Sequence, residues 1–399
     1  MIVVGAGPVG LSCALALRAH GLDATVLEAE PEDRLRPGSR AIYTHRASLE
    51  LLERMRPGLG WKLARGGLVW SAKRTFWRGR EVFARRYPPP APDALPPFTS
   101  LPQTEIERSL REACKASGVE LAWSSPVQGV AVRSDGVELT TSAGRVWTAE
   151  RVIGADGAHS AVRRAIGVPM EGVRSDSAYV IVDVEQDPED PRPAERIFHY
   201  EHPAVGGRNV LLVPFQGGWR ADLQCHGDDD PTGLDRGEGL RSWIGKVMGE
   251  RYAERIRWVS TYRFLQVVAA QLTDTTGRVL LVGEAAHLFA PFGARGMNSG
   301  IADASAAAAA IGTALRAADR DAGEAAIERF ASERLQAALS NRRAAGMALA
   351  AVQSDSARIR AKRRIAAMLA PRFERAGAWL DSAPYGPRLR DSRLPRASY

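Results

Sequence analysis

The chain opens on three β-branched residues, Ile2, Val3 and Val4, followed by a glycine turn and an apolar stretch of helical character at 11–20 that Gly21 closes. Strand, turn and helix are expected in that order. A second short strand is predicted at 24–27, and further short apolar runs at Val152-Ile153 and at 279–282 also end in turns. Between these runs, 178–183, 196–200, 210–215 and 219–225 read as strands, separated by turn signals such as Gly206-Gly207 and Gly217-Gly218. A hairpin is predicted around 76–83, and the Pro-rich stretch 88–97 reads as a connection. A helix is expected at 105–116. Helical periodicity then takes over in an Ala-rich segment at 301–315 and in an Ala-, Arg- and Leu-rich one at 317–370. These patterns predict an α/β fold: a Rossmann-like domain, an inserted antiparallel β-sheet and a helical C-terminal part.

Composition changes this picture little. At 399 residues, with 45% hydrophobic and 25% charged residues, the chain has the make-up of a globular protein of two or three packed units. Charge adds one constraint, since 54 Lys plus Arg against 46 Asp plus Glu gives +8. No block of like charge dominates, so the excess favours small anions over a nucleic acid or a membrane surface. The three cysteines, Cys13, Cys114 and Cys225, have neither metal-ligand spacing nor an even count, which leads to the expectation of a reduced, cytoplasmic protein without a metal. The N-terminus enters a strand at once and no apolar run reaches the roughly 18 residues of a membrane span, so neither a leader nor a membrane segment is expected.

Candidate chemistry lies in three segments. In Gly5-Ala6-Gly7-Pro8-Val9-Gly10, Gly5 permits the tight turn, Gly7 lets the backbone approach a pyrophosphate, and Gly10 allows close helix packing. The helix N-terminus adds free N–H groups and a positive dipole end, and Glu28, at the end of the second strand, can accept from ribose hydroxyls. The second segment, 152–163, carries Asp156 between Gly154 and Gly157 and runs into Arg163 and Arg164, where phosphates or ribitol hydroxyls can be oriented. In the third, a strand ends at Glu284, a glycine-rich loop runs from Pro291 through Gly296, Met297, Asn298 and Ser299, and a long helix follows. Asn298 and Ser299 are expected to cap that helix, whose N-terminus favours negative charge such as that on a reduced flavin.

In this order and at these separations the three segments resemble the class A flavoprotein monooxygenases, the single-component aromatic hydroxylases similar to para-hydroxybenzoate hydroxylase. The resemblance spans roughly residues 1–316. It implies that Gly5, Gly7, Val9 and Gly10 hold the FAD pyrophosphate and Glu28 its adenosine ribose. It also places Arg40 near the pyrophosphate, Gln103 near the ribityl chain, Val127 at the adenine end and Asp156 against both FAD and NAD(P)H. Pro291, Gly296, Met297 and Asn298 fall beside the isoalloxazine ring. One departure is Glu284, where the family usually has Asp; a Glu can still accept from a ribityl hydroxyl.

On this reading 1–72, 99–172 and 262–316 form a discontinuous FAD-binding domain. The substrate domain comprises 73–98 and 173–261, the C-terminal helices 317–370 and an irregular tail 371–399. The implied activity is an FAD-dependent hydroxylation of an aromatic or polyketide-like phenolic substrate, consuming NADPH or NADH and O2 through a flavin C4a-hydroperoxide, by a monomer or homodimer. Alternatives on the same scaffold are a Baeyer–Villiger, epoxidising or redox-neutral flavoenzyme, or a non-catalytic flavin-binding protein. Alternation puts Arg220, Asp222 and Gln224 on one strand face that should look toward the flavin, and Arg220 could pair with an acidic or phenolic substrate, although such an arginine more often faces solvent. Tyr43, His45 and His199 are further pocket candidates, with Gln224 and Pro291. His287 reads as a structural hydrogen-bonding group.

Overall fold

The computed structural model of the protein describes residues 1–34, 37–227, 229–353 and 356–386. Its first layer is a five-stranded parallel sheet in the order Val279–Leu281, Val152–Gly154, Ile2–Val4, Thr25–Leu27, Glu120–Ala122. The three strands at one side of it are buried along their whole length, which is why they read as continuous β-branched runs without alternation. The helix Pro8–Ala19 leaves the glycine turn earlier than the apolar pattern indicates, because Pro8 suits the first helical position, where its missing N–H costs nothing. This helix packs between Gln103–Ala116 and Arg295–Arg316. A three-stranded antiparallel sheet, Val127–Val132, Val137–Thr141 and Val146–Ala149, joins the same core.

The second layer is an eight-stranded sheet in the order His287–Leu288, Ile256–Ala269, Met170–Glu185, Gly218–Gln224, Arg208–Phe215, Glu195–His202, Ala72–Trp77, Arg80–Arg86. It corrects the expectation of an antiparallel sheet in one respect: Glu195–His202 runs parallel to Ala72–Trp77. That pair is parallel because the hairpin Ala72–Trp77 and Arg80–Arg86 joins the edge from a distant part of the chain. The long strands Met170–Glu185 and Ile256–Ala269 pair with each other and cross the positions 172/173 and 261/262, so the two layers share continuous backbone.

Period-two alternation sets the two faces of this sheet. Val180, Val182 and Val184, with Leu212, Ala221 and Leu223, pack under the helix Gly237–Met248 through Leu240, Trp243 and Ile244. Each such fully buried aliphatic side chain stabilises the layer by about 1.5–3 kcal/mol. The intervening Tyr179, Ile181 and Asp183 point the other way, toward the first layer. The C-terminal part adds the helices Arg320–Gln353 and Ala357–Leu369. The expectation of an irregular segment from 371 is corrected by the helix Glu374–Ser382 and the 3-10 turn Ala383–Tyr385, which pack on the hairpin and the long helix through Leu380 and Trp379. Residues 387–399 of that predicted tail lie outside the described residues. Among the described residues no helix is long and apolar enough to cross a membrane, and Cys13, Cys114 and Cys225 are buried free thiols.

Candidate functional site

A single cavity of about 3140 Å³ runs between the two layers. Pockets for one small molecule hold roughly 300–1,000 Å³, so this volume suits a dinucleotide together with a second ligand.

At one end the first strand, the glycine turn and the first helix form a cradle. A Cβ on Gly10 would lie 1.9 Å from the Gly5 carbonyl oxygen, so only glycine lets the helix start this close to the turn. Gly7 is the residue preceding the helix, and its neighbour Ala6 donates its N–H to Glu28 Oε2 at 2.5 Å. Glu28 is 5% exposed and is held further by the Glu30 N–H at 3.1 Å and by Arg34 Nη1 at 2.6 Å. Arg34 carried no signal in the sequence, because its contact depends on the turn that follows the second strand. Val9 also lines the cavity and braces two motifs: a Cβ on Gly300 would come within 2.3 Å of its Cγ2. Val127 begins its strand at the same end.

Further along, the 38–41 loop carries Arg40 in a left-handed conformation (φ 51°). The loop is latched to the second layer. Asp183 accepts the N–H and the hydroxyl of Ser39, Arg220 donates to the Arg40 carbonyl, and Trp258 covers Gly38. Gln103, the first residue of its helix, accepts the Ala41 N–H at 3.2 Å and donates to Glu107 at 2.8 Å. Asp156 lines the cavity while its carboxylate accepts the Ala161 and Val162 N–H groups at 2.7 and 3.1 Å and the Ser160 hydroxyl. It therefore ties off the start of the short helix Ala161–Ala165, a role the Asp-Gly pattern alone did not reveal. Glu284 is exposed on a 3-10 turn, Gly283–Ala285, that faces the same space.

The third motif differs from expectation at the helix start. Ala294 adopts a left-handed conformation (φ 52°), and the helix begins at Arg295, so Asn298 and Ser299 lie inside it and do not cap it. The Asn298 side chain is instead a clamp. It accepts the His45 N–H at 2.9 Å and the Ser48 hydroxyl at 2.7 Å, and donates to the Tyr43 and Ala294 carbonyls at 2.9 and 2.7 Å. Arg295, Gly296 and Met297, the first-turn residues whose N–H groups an α-helix leaves without an intrahelical acceptor, line the cavity beside Pro291, as does Asn298. His287 is structural, as expected: it bonds Asp303 at 2.7 Å, both groups being 1% exposed.

Beyond this loop the cavity is walled by aromatic rings. Tyr43 stacks on Phe98 with centroids 4.6 Å apart, and Trp70 lies 4.2 Å from Phe98. His45 sits beside Tyr43, and its Nε2 meets the Gly293 carbonyl at 3.1 Å. A carbonyl only accepts, so this nitrogen carries the proton. Burial lowers the His45 pKa to about 4, keeping the ring neutral at ordinary pH and making it an anchor for the 293 loop. Arg220 does not face solvent. Its side chain is 11% exposed, lines the cavity and pairs with Asp222 at 2.8 Å, so its charge is already engaged.

Two candidates fall away. Gln224 does not line the cavity, and its Oε1 accepts from Asn209 Nδ2 at 2.7 Å. His199 is also outside, packed between Phe76 and His202, where burial lowers its pKa to about 3 with help from His202 and Arg192. Below its unfolded pKa of 6.5 the unfolded chain takes up a proton that folded His199 refuses, so stability falls as pH drops from 6.5 toward 3. A His199→Phe variant is expected to lose less melting temperature than the parent over that range, and parallel curves would contradict this.

A glycine cradle, a buried acid at the end of the second strand and two helix N-termini on one cavity define an α/β protein with a roofed ligand chamber. The chain belongs to the FAD binding domain family, whose match covers residues 1–345. It is 30% identical over 347 residues to 6-methylpretetramide 4-monooxygenase of Streptomyces rimosus, covering 84% of this chain and 59% of that protein. It is 28% identical to Dialkyldecalin synthase of Streptomyces rugosporus, covering 76% and 63% respectively. The chain thus spans about three-fifths of the length of these curated relatives. Its fold resembles the crystal structure of p-nitrophenol 4-monooxygenase PnpA from Pseudomonas putida DLL-E4, with a TM-score of 0.77 at 23% identity over 97% of this chain and 98% of that one.

Proposed function

We propose that the protein is an FAD-dependent, NAD(P)H-consuming monooxygenase that hydroxylates a phenolic or polyketide-like aromatic molecule with O2. The observation that carries this reading is the continuity of one cavity from the glycine cradle to a wall of stacked aromatic rings. Bound FAD would take a hydride from NAD(P)H and activate O2, so that one oxygen atom enters the ring and the other leaves as water.

The chain's own residues bind, orient and shield. The turn at Gly5 and Gly7 and the first N–H groups of the helix Pro8–Ala19 would hold the pyrophosphate, and Glu28 the adenosine ribose, while Gly10, which does not line the cavity, lets the helix start this close to the turn. Gln103, Asp156 and Glu284 would face the ribityl chain. The first turn of Arg295–Arg316, beside Pro291, would present N–H groups and a positive dipole end to the electron-rich edge of the isoalloxazine ring. Tyr43, Trp70 and Phe98 would flank the substrate ring, while Phe264 and Phe292 exclude water. Neutral His45 holds the 293 loop through its Nε2–H and moves no proton.

One relative is a synthase and not a monooxygenase, which favours a second reading, a redox-neutral flavoenzyme on the same scaffold. Oxidation of NADH and NADPH by the flavin-loaded protein, with and without a panel of phenols, separates the two. The hydroxylase reading predicts oxidation that rises when a phenol is added; a rate that no phenol changes would contradict it.

A further inference from the structure

We propose that the helix Ala357–Leu369 and the turn after it form a docking face for an anionic lipid surface, on which the protein rests without spanning it.

The side that the helix buries defines the face. Ala366, Ala367 and Ala370 pack into the core with Leu380, and Arg363 turns inward to Glu201 Oε1 and to the Val352 carbonyl, each at 3.1 Å. Helical periodicity then puts Ala361, Ile365, Met368 and Leu369 together on the opposite side. Ile365 is 58% exposed, Met368 70% and, just past the helix end, Phe373 57%. Of the nine large apolar side chains that stand exposed among the described residues, four lie between 365 and 373. Exposed apolar groups scattered singly need no explanation, but a cluster of this kind marks a surface that something covers.

Charge indicates what covers it. From 356 to 373 the sequence carries Arg358, Arg360, Lys362, Arg363, Arg364 and Arg372 and no acid. Arg358, Lys362 and Arg364 are exposed and flank the apolar stripe, and Arg372 stands exposed at its end. Among the described residues none of Arg358, Arg364 and Arg372 has a carboxylate partner. Lys362 Nζ lies 4.5 Å from the Trp379 ring, which leaves its charge without an anion as well.

A second copy in two-fold contact through this face would bring the same cations against each other, so repulsion opposes a dimer built here. An anionic bilayer answers both features at once. Its headgroup phosphates take the cations, and the acyl boundary beneath them takes the protruding apolar side chains. A fluid interface also accepts such side chains without the shape complementarity that a protein partner needs. Whole-chain charge hides this run because arginine recurs throughout, and its apolar positions become exposed only when the helix packs through its alanines. The next helix, Glu374–Ser382, borders the chamber through Ala378, Trp379 and Asp381, so one wall of the chamber lies a single helix away from the docking face.

The test uses the flavin-loaded protein and vesicles of phosphatidylcholine alone, or of phosphatidylcholine and phosphatidylglycerol in equal parts, with binding read by co-sedimentation. The parent should bind the anionic vesicles at least about tenfold tighter than the neutral ones, since each cation at the surface contributes roughly a factor of five. Ile365→Ser with Met368→Ser keeps the net charge and should weaken that binding about tenfold. Arg358→Gln with Arg364→Gln should weaken it about twentyfold. Arg54→Gln with Arg56→Gln removes the same charge from exposed positions at the end of the helix Arg46–Met55, on the first layer, and should cost less than about threefold. All six positions are exposed, so each variant is expected to fold, with circular dichroism as the check.

A parent that binds neither kind of vesicle, or both equally, would overturn the proposal. So would an apolar pair that binds like the parent, or an Arg54 and Arg56 pair that loses as much as the Arg358 and Arg364 pair, since overall positive charge would then account for the binding. The face would belong to a second copy if Ile365→Ser with Met368→Ser turned a parent dimer into monomers and left vesicle binding unchanged. It would belong to an acidic protein if the parent ignored vesicles yet bound immobilised polyglutamate.

Discussion

Gly10→Asp is expected to purify as a colourless, folded protein, with FAD affinity reduced by roughly a hundredfold or more. Two effects add. The Cβ alone would fall 1.9 Å from the Gly5 carbonyl oxygen, a backbone atom that cannot swing aside as a flexible side chain can. The new carboxylate would then be forced into the packing between helix, turn and Ala155, where an unpaired buried charge is costly and distorts the cradle. Gly10→Ala separates the two, since it keeps the crowding and omits the charge, and should lie between parent and Asp variant. The measurement is flavin absorbance per protein after desalting, with circular dichroism as the check on folding. A folded Gly10→Asp protein that remains fully yellow would contradict the placement of FAD in this cradle.

The second large effect is one of stability. Asp303 is 1% exposed, bonds His287 Nε2 at 2.7 Å, meets Arg334 Nε at 2.7 Å and accepts the Gly283 N–H at 3.1 Å. It thereby joins the helix Arg295–Arg316 to the Glu284 turn and to the long helix Arg320–Gln353. Burial pushes its pKa up, but His287 and Arg334 outweigh that and hold it at about 2. Asp303→Ala strands a half-buried arginine and leaves a buried histidine and a backbone N–H without their acceptor, so a loss of about 3 kcal/mol is expected.

The sign of the pH dependence follows from the depressed pKa. The folded state resists protonation that the unfolded state accepts near 3.8, so the contribution is full above that value and is lost as pH falls through about 2. Denaturation curves of parent and Asp303→Ala should therefore be far apart at neutral pH and converge between pH 3.8 and 2. A difference under about 1 kcal/mol at neutral pH would show that the network contributes little.

How much of this was legible in the sequence depends on what each residue's role requires. Gly5, Gly10 and Glu28 are readable because backbone geometry and strand position dictate them locally, within one strand-turn-helix unit. The faces of the second layer were readable from alternation, and Arg220 and Asp222 lie on the face predicted for them. Asn298 was misread because its side chain is committed to Tyr43, His45 and Ser48, which are distant in sequence, while the left-handed Ala294 moves the helix start to Arg295. The wall of Trp70 gave no signal, since the chain brings it against Tyr43 and Phe98 only on folding. The helix Glu374–Ser382 was hidden by the Pro- and Arg-rich composition around it.

The central claim is that the chain uses O2 to place one oxygen atom on an aromatic ring. Its most direct test is turnover of a phenol by the flavin-loaded protein under 18O2 with NAD(P)H, followed by mass spectrometry of the product. The account predicts a product carrying one 18O in a new ring hydroxyl. A product of unchanged composition, or one whose added oxygen comes from water, would contradict it.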